Sequence, residues 1–148
     1  MAKWDALSGR FEFLAKLKDL DEDVIAGTLA GLNLIHEEIM TVAKERCPVA
    51  PVRGGTLRSS GRVLPAYIEK GQIISRGGFG GAAEAYAVVQ HERLDYKHTT
   101  GQAKFYESAM LERSSDLGVK LVEATKAQER AFRRSNTRTI LFRSRQRP

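Results

Sequence analysis

The longest regular pattern in the chain is helical. From Asp21 to Arg46, the positions Ile25, Leu29, Leu32, His36, Ile39 and Ala43 follow one another at alternating steps of four and three, which puts them on one stripe of a helix. Asp21 is placed to cap its N-terminus, with Leu20 and Ile25 as the hydrophobic staple around the cap. Lys44 and Arg46 suit the negative helix end, and Pro48 pushes Cys47 out of helical geometry. At 1.5 Å per residue such a helix is about 39 Å long. A shorter amphipathic helical piece, Phe11 to Leu20, is expected to precede it.

The helical period is lost in the middle of the chain, where nine of the thirteen glycines fall between Gly54 and Gly101. Arg62 to Glu69 and Gln72 to Arg76 flank Lys70-Gly71, the pattern of a hairpin. Pro65 places the first of these strands at a sheet edge or on a bulge. Ala85 to His91 reads as a third strand, with a helical start as the alternative. Helix returns from about Gln102, with Phe105, Ala109, Leu117, Leu121 and Ala124 on compatible faces and a break at Ser114-Ser115-Asp116. The sum is an α+β fold: a long N-terminal helix, a small antiparallel sheet, a C-terminal helix and an extended basic C-terminal arm.

Charge changes that picture at one end only. The formal net charge is +6, yet every acidic residue lies at or before Glu129. Residues 1–129 hold seventeen basic and eighteen acidic residues, a balance of −1, whereas residues 130–148 hold seven arginines and no acid. We therefore read 1–129 as a single near-neutral domain and 130–148 as an arginine-rich arm. A single cysteine excludes an internal disulfide framework. The start, Met1 to Asp5, lacks the apolar run of a signal peptide. Val24 to His36, the longest uncharged apolar-rich stretch, is shorter than the roughly 20 residues that span a bilayer. No membrane association is expected.

Candidate chemistry is sparse. His91-Glu92 is followed by Asp95 where a zinc-protease helix needs histidine, and His98 lies across a loop with Arg93 and Lys97, whose charges repel a cation. No metal site is expected, and His91 and His98 are read as solvated or partner-facing. His36, on an apolar stripe, reads as a core histidine hydrogen-bonded to a neighbour. Gly77 to Gly81 lacks the Gly-Lys-Ser/Thr ending of a phosphate loop and reads as a flexible connection. Cys47 has Arg46 beside it to lower its pKa, but no legible base or orienting group, so a catalytic thiol is not expected. No catalytic residues and no cofactor are assigned.

One stretch is more specific. Ala43-Lys-Glu-Arg-Cys-Pro-Val-Ala-Pro-Val-Arg-Gly-Gly-Thr-Leu-Arg-Ser-Ser60 resembles the Ala-Pro-Val-x-Thr-Gly-x-Leu-Arg-x-Ser segment of the small neck proteins of long-tailed bacteriophages. These are the tail-completion or head–tail joining proteins, often described as minor tail or minor capsid proteins. Ala85 to Glu92 resembles that family's Tyr-Ala-x-x-x-Glu element, and Gly101 to Met110 its Lys-Phe-Leu-x-x-Ala start of the last helix. The matches follow the family's order across roughly residues 11–128. Here the turn reads Gly54-Gly55-Thr56-Leu57-Arg58, so the family's Thr and Gly have moved and the turn's register differs.

The resemblance implies a non-enzymatic virion protein, assembled in the bacterial cytoplasm into a six-fold or twelve-fold ring at the head–tail junction. Its partners would be its own copies, the portal, connector or head-closure proteins, and tail terminator or tail tube proteins, with phage DNA passing through the channel. On its own residues, the 53–60 segment reads as a stiff projecting loop: Leu57 packs back, Arg58, Ser59 and Ser60 offer donors outward, and Arg53, Thr56, Leu57, Arg58 and Ser59 are assigned as partner contacts. Phe79 and His98 are further partner contacts from their loops. In the arm, the apolar run Ile140, Leu141 and Phe142 is expected to dock on an adjacent protein. Arg130, Arg133, Arg134, Arg138, Arg143, Arg145 and Arg147 would meet acidic partner surfaces or DNA. The alternative reading is a cytosolic nucleic-acid-binding protein that grips phosphates with this tail.

Overall fold

The stripe from Ile25 to Ala43 organises the molecule. In the computed structural model, which describes residues 2–5, 10–16, 22–52, 54–115 and 117–144, it lies on the 25-residue helix α1 (Glu22–Arg46). Leu32, Ile35, His36, Ile39, Met40 and Ala43 are all buried. Around α1 are β1 (Ala2–Asp5), β2 (Arg10–Lys16), α2 (Thr56–Ser60), β3 (Arg62–Glu69) and β4 (Gln72–Gly78). A single 3-10 turn (Gly81–Ala83) then leads into α3 (Glu84–Glu92), α4 (Phe105–Ser114) and α5 (Leu117–Ser144). The proposed cap Asp21 and staple residue Leu20 lie outside the described residues.

The four strands form one antiparallel sheet in the order β1-β2-β4-β3. The β3–β4 hairpin turns at Lys70 and Gly71, both at positive φ (50° and 71°), as a two-residue hairpin turn requires. β3 is an edge strand, and its register shifts between Leu64 and Tyr67, around Pro65. The Ala66 N–H freed there donates to Asn33 Oδ1 of α1 at 2.7 Å. Ile73, Ser75 and Gly77 of β4 are buried and share one sheet face, toward α1. On other faces of α1 lie α4 and α5. Gly27 and Gly31 permit the α5 approach: a Cβ on Gly27 would come within 2.8 Å of Thr125 O, and one on Gly31 within 3.0 Å of Ala124 Cβ.

Three expected elements differ. Phe11 to Lys16 is not helical; Arg10 to Lys16 is strand β2, whose alternate residues Phe11, Phe13 and Ala15 pair with Gly77, Ser75 and Ile73 of β4, and 17–20 lie outside the described residues. Ala85 to His91 is the helix α3 rather than a strand, and its buried residues Ala87 and His91 stand four apart. The backbone from Arg130 to Ser144 continues α5 as helix, where an extended arm was expected. Among the described residues, no helix is long and apolar enough to cross a membrane.

Candidate functional site

The exit of α1 builds one wall of a concavity. Pro48 stops the helix, and after Pro51 the chain reverses through Gly55, at φ +104°, into α2. Leu57 on α2 is buried, which anchors the loop. The 93–104 connection is clamped alongside it. Val49 N–H donates to Thr100 Oγ1 at 3.2 Å, the Thr100 hydroxyl donates back to Val49 O at 3.1 Å, and Gln102 N–H donates to Arg46 O at 2.9 Å. Gly101, at φ +77°, is required by closeness as well as by conformation, since a Cβ would come within 2.6 Å of Arg46 O and Pro48 N.

Between these loops and α3 lies a groove of about 300 Å³, walled by Pro48–Pro51, Gly54–Leu57, Tyr86 and Gln90 of α3, and Tyr96–Thr100. His98 contributes a buried Nε2 with no hydrogen-bond partner among the described residues. Tyr86 and Tyr96 in the wall are 39% and 43% exposed, and Val52 and Leu94, close by in sequence, are 79% and 76% exposed, so large apolar side chains reach the surface here among Lys97, Thr99 and Thr100. A second depression of about 310 Å³ lies over Gly77–Gly81, flanked by Arg62, Arg76 and Glu84.

The buried polar groups are committed elsewhere. His36 is hydrogen-bonded through Nδ1 to Ser75 Oγ at 2.7 Å and through Nε2 to the Tyr106 hydroxyl, with all three fully buried. Either neutral tautomer satisfies both partners, and burial pushes the imidazole down to about 4. His36 is thus the bonded core histidine expected from its stripe. His91 is not solvated or partner-facing, as expected, but fully buried. Its Nε2 accepts the Glu107 N–H at 3.3 Å, and its Nδ1–H donates to Glu92 Oε1 at 2.8 Å. It thereby caps the start of α4, where Lys104 offers no side-chain cap of its own. Burial lowers its pKa, against the pull of Glu92. Cys47 is buried and its thiol is pushed up to about 12, with the nearby Arg58 pulling weakly the other way. Arg46 does not activate it, because its guanidinium turns to Glu112 and to Ser108 Oγ. Among the described residues, no three His, Cys, Asp or Glu side chains stand close enough together to hold a metal ion.

Several assigned contact residues are therefore corrected. Phe79 does not project: it is 3% exposed and packs edge-on against Phe105 at 5.0 Å and Tyr106 at 5.8 Å. Leu57 packs back as expected, and at 4% exposed it is core rather than a partner contact. Arg58 turns inward, donating to Cys47 O at 2.9 Å and Glu45 O at 3.5 Å. The Ser59 and Ser60 hydroxyls close on the carbonyls of Thr56 and Leu57. Thr56 remains exposed, and His98 is half-buried in the groove wall. Arg130 and Arg134 are exposed, and Arg133 pairs with Glu129 at 2.7 Å. Arg138, Ile140, Leu141, Phe142 and Arg143 lie on α5, but their side chains, like Arg53, Arg145 and Arg147 as a whole, lie outside the described residues.

Tyr86 and Gln90 were missed as site residues, whereas Tyr96 and Thr100 belong to the same His91–Gly101 loop as the expected contact His98. Tyr86 and Gln90 share a face only if residues 84–92 are read as helix. Comparison with family models, with curated proteins and with solved structures finds no match.

Proposed function

We propose that the chain is a structural virion protein of a tailed bacteriophage. Copies of it form a ring at the head–tail junction, joining the portal or connector complex to the tail, and DNA passes through the hole. No reaction is catalysed; the protein acts by surface complementarity. One observation supports this reading. The three segments that resemble neck proteins are far apart in sequence, yet they meet: Pro48–Leu57 of the first and Tyr86 and Gln90 of the second line one groove, and the third is tied to both, through Gln102 N–H to Arg46 O and Lys104 N–H to His91 O. An apolar-rimmed groove between clamped loops suits protein contact.

Cryo-electron microscopy of virions carrying this chain tests the reading. Repeated copies around the axis of the neck are expected; density with a single asymmetric copy, or none, overturns it. The exposed Arg130 and Arg134 favour a second reading, phosphate binding by the end of α5. Tight, strongly salt-dependent binding of free duplex DNA by the purified monomer would support that reading instead.

A further inference from the structure

α1 and α5 run antiparallel. Gly27 lies against Thr125, Gly31 against Ala124, and Glu38 approaches Lys120 at 3.8 Å. Counting outward from the Gly27–Thr125 contact, α5 reaches the level of the first residue of α1, Glu22, near Arg130. The helix continues to Ser144, so its last fourteen residues overhang the end of α1 by about 21 Å. This overhang contains Arg133, Arg134, Arg138 and Arg143, the apolar run Ile140-Leu141-Phe142, and no acid.

The opposite half of α1 carries the complementary surface. Leu34, Glu37, Glu38, Thr41 and Glu45 are all exposed and follow at helical spacing on one side of α1. The stripe has three carboxylates, of which Glu38 already faces Lys120 of the same chain and Glu37 and Glu45 are the two proposed for a partner, no basic residue, and a single large apolar side chain, Leu34, at 52% exposure. From Leu34 to Glu45 it spans about 17 Å, close to the length of the overhang. Within one molecule the two cannot meet, because α5 leaves α1 at its N-terminal end and runs away from Glu37 and Glu45.

We infer that the overhanging end of α5 docks along the Leu34–Glu45 stripe of α1 in a second copy of this chain. The occupant is a second copy because the acidic stripe is matched in sign, length and apolar content by the chain's own basic helix. A nucleic acid would account for the arginines and leave the acidic stripe without a role. The contact joins two different surfaces, so it repeats head to tail, the arrangement that closes a ring. The inference rests on the ring reading above and names the surfaces that would hold the ring together.

Two full-length variants test it, measured by light scattering after size exclusion at low salt (about 50 mM) and high salt (about 500 mM). One carries Glu37→Lys and Glu45→Lys; the other carries Arg130→Gln, Arg134→Gln, Arg138→Gln and Arg143→Gln. All replacements are good helix formers, and those whose exposure is described are at exposed positions, so unchanged circular dichroism and melting are the control for folding. The unaltered protein is expected to associate at low salt and dissociate at high salt. Each variant alone should be monomeric. Their mixture should form one-to-one dimers and nothing larger, since one variant keeps only the arm and the other only the stripe. If the Glu37/Glu45 variant oligomerised like the unaltered protein, this interface would be refuted while the ring reading stood. A monomeric unaltered protein at both salts would overturn the inference, and a neck ring in virions would then show that the ring reading survives without it. Dissociation of arm and stripe effects, with only the arginine variant losing duplex DNA binding, would overturn it in favour of phosphate recognition.

Discussion

Lowering the pH from 7 to 4 should remove about 3 kcal/mol of stability through His36 alone. Its imidazole, ordinarily near 6.5, is held to about 4 in the folded chain because charging it would bury an ion at a fully buried position between Ser75 and Tyr106. Below 6.5 the unfolded chain takes up a proton that the folded chain refuses. Stability is therefore present in full above 6.5 and is lost as pH falls toward 4. At about 1.4 kcal/mol per unit, a gap of about 2.5 units is worth about 3.5 kcal/mol in full, of which about 3 kcal/mol is lost by pH 4, where the folded chain is itself half protonated; that is a large part of the roughly 5–15 kcal/mol that holds a domain together. His91 acts in the same direction, since burial lowers it too. Urea unfolding followed by far-ultraviolet circular dichroism at several pH values measures the loss. Carboxylates also titrate in this range, so the comparison is with His36→Gln, which keeps a donor and an acceptor for Ser75 and Tyr106 but does not titrate. The variant should lose about 3 kcal/mol less than the unaltered protein between pH 7 and 4. Equal losses in the two proteins would refute the reasoning.

Tyr106→Phe removes the hydroxyl that is hydrogen-bonded to the buried His36 Nε2, so thermal melting should show a loss of about 1–3 kcal/mol. Gly77→Ala should cost about 1–3 kcal/mol by the same measurement, because its Cβ would lie 2.7 Å from both His36 Nε2 and Tyr106 Oη; an unchanged melting temperature would show that the network yields freely. Leu32→Asp buries an unpaired carboxylate at a 3% exposed position and should abolish soluble, folded protein.

The parts of the fold that were legible in the sequence are those where local chemistry and tertiary context agree. α1 is bounded by Lys44, Arg46 and Pro48 and striped by its apolar residues, and the hairpin is marked by Lys70-Gly71 and Pro65. The misreadings come from long-range packing. Ala85-Tyr-Ala-Val-Val carries strand-favouring residues, but Ala87 and His91 are wanted on one buried helical face. Phe79, set among glycines, looked like a loop tip. Instead Gly61 leaves space for its ring, where a Cβ would come within 2.7 Å of Phe79 Cε1, and the flanking glycines let the backbone turn it inward. The cap that His91 supplies to α4 joins residues sixteen apart through a backbone N–H, which no local pattern displays. Of the candidate site, the two loops at Pro48 and His98 were anticipated separately; their clamping through Thr100 and Gln102 was not.

These corrections narrow where contacts between copies can form. With Leu57, Phe79 and His91 in the core and Arg58 turned inward, those residues drop out as contacts, and the proposed interface rests on the acidic stripe of α1 and the end of α5. The last of these is energetically distinctive. An isolated helix of fourteen residues is marginal in water, and residues 131–144 carry four arginines, with Glu129 the one acidic residue three or four positions from any of them. Like charges stacked at helical spacing weaken it further. Carboxylates presented along a neighbouring helix reverse that sign, so docking and helix formation beyond Arg130 are thermodynamically linked: whatever covers the arginines also raises their helicity. Amide hydrogen exchange should therefore show protection past Arg130 that rises with protein concentration at low salt and falls in high salt. Protection in α1 should depend far less on either variable.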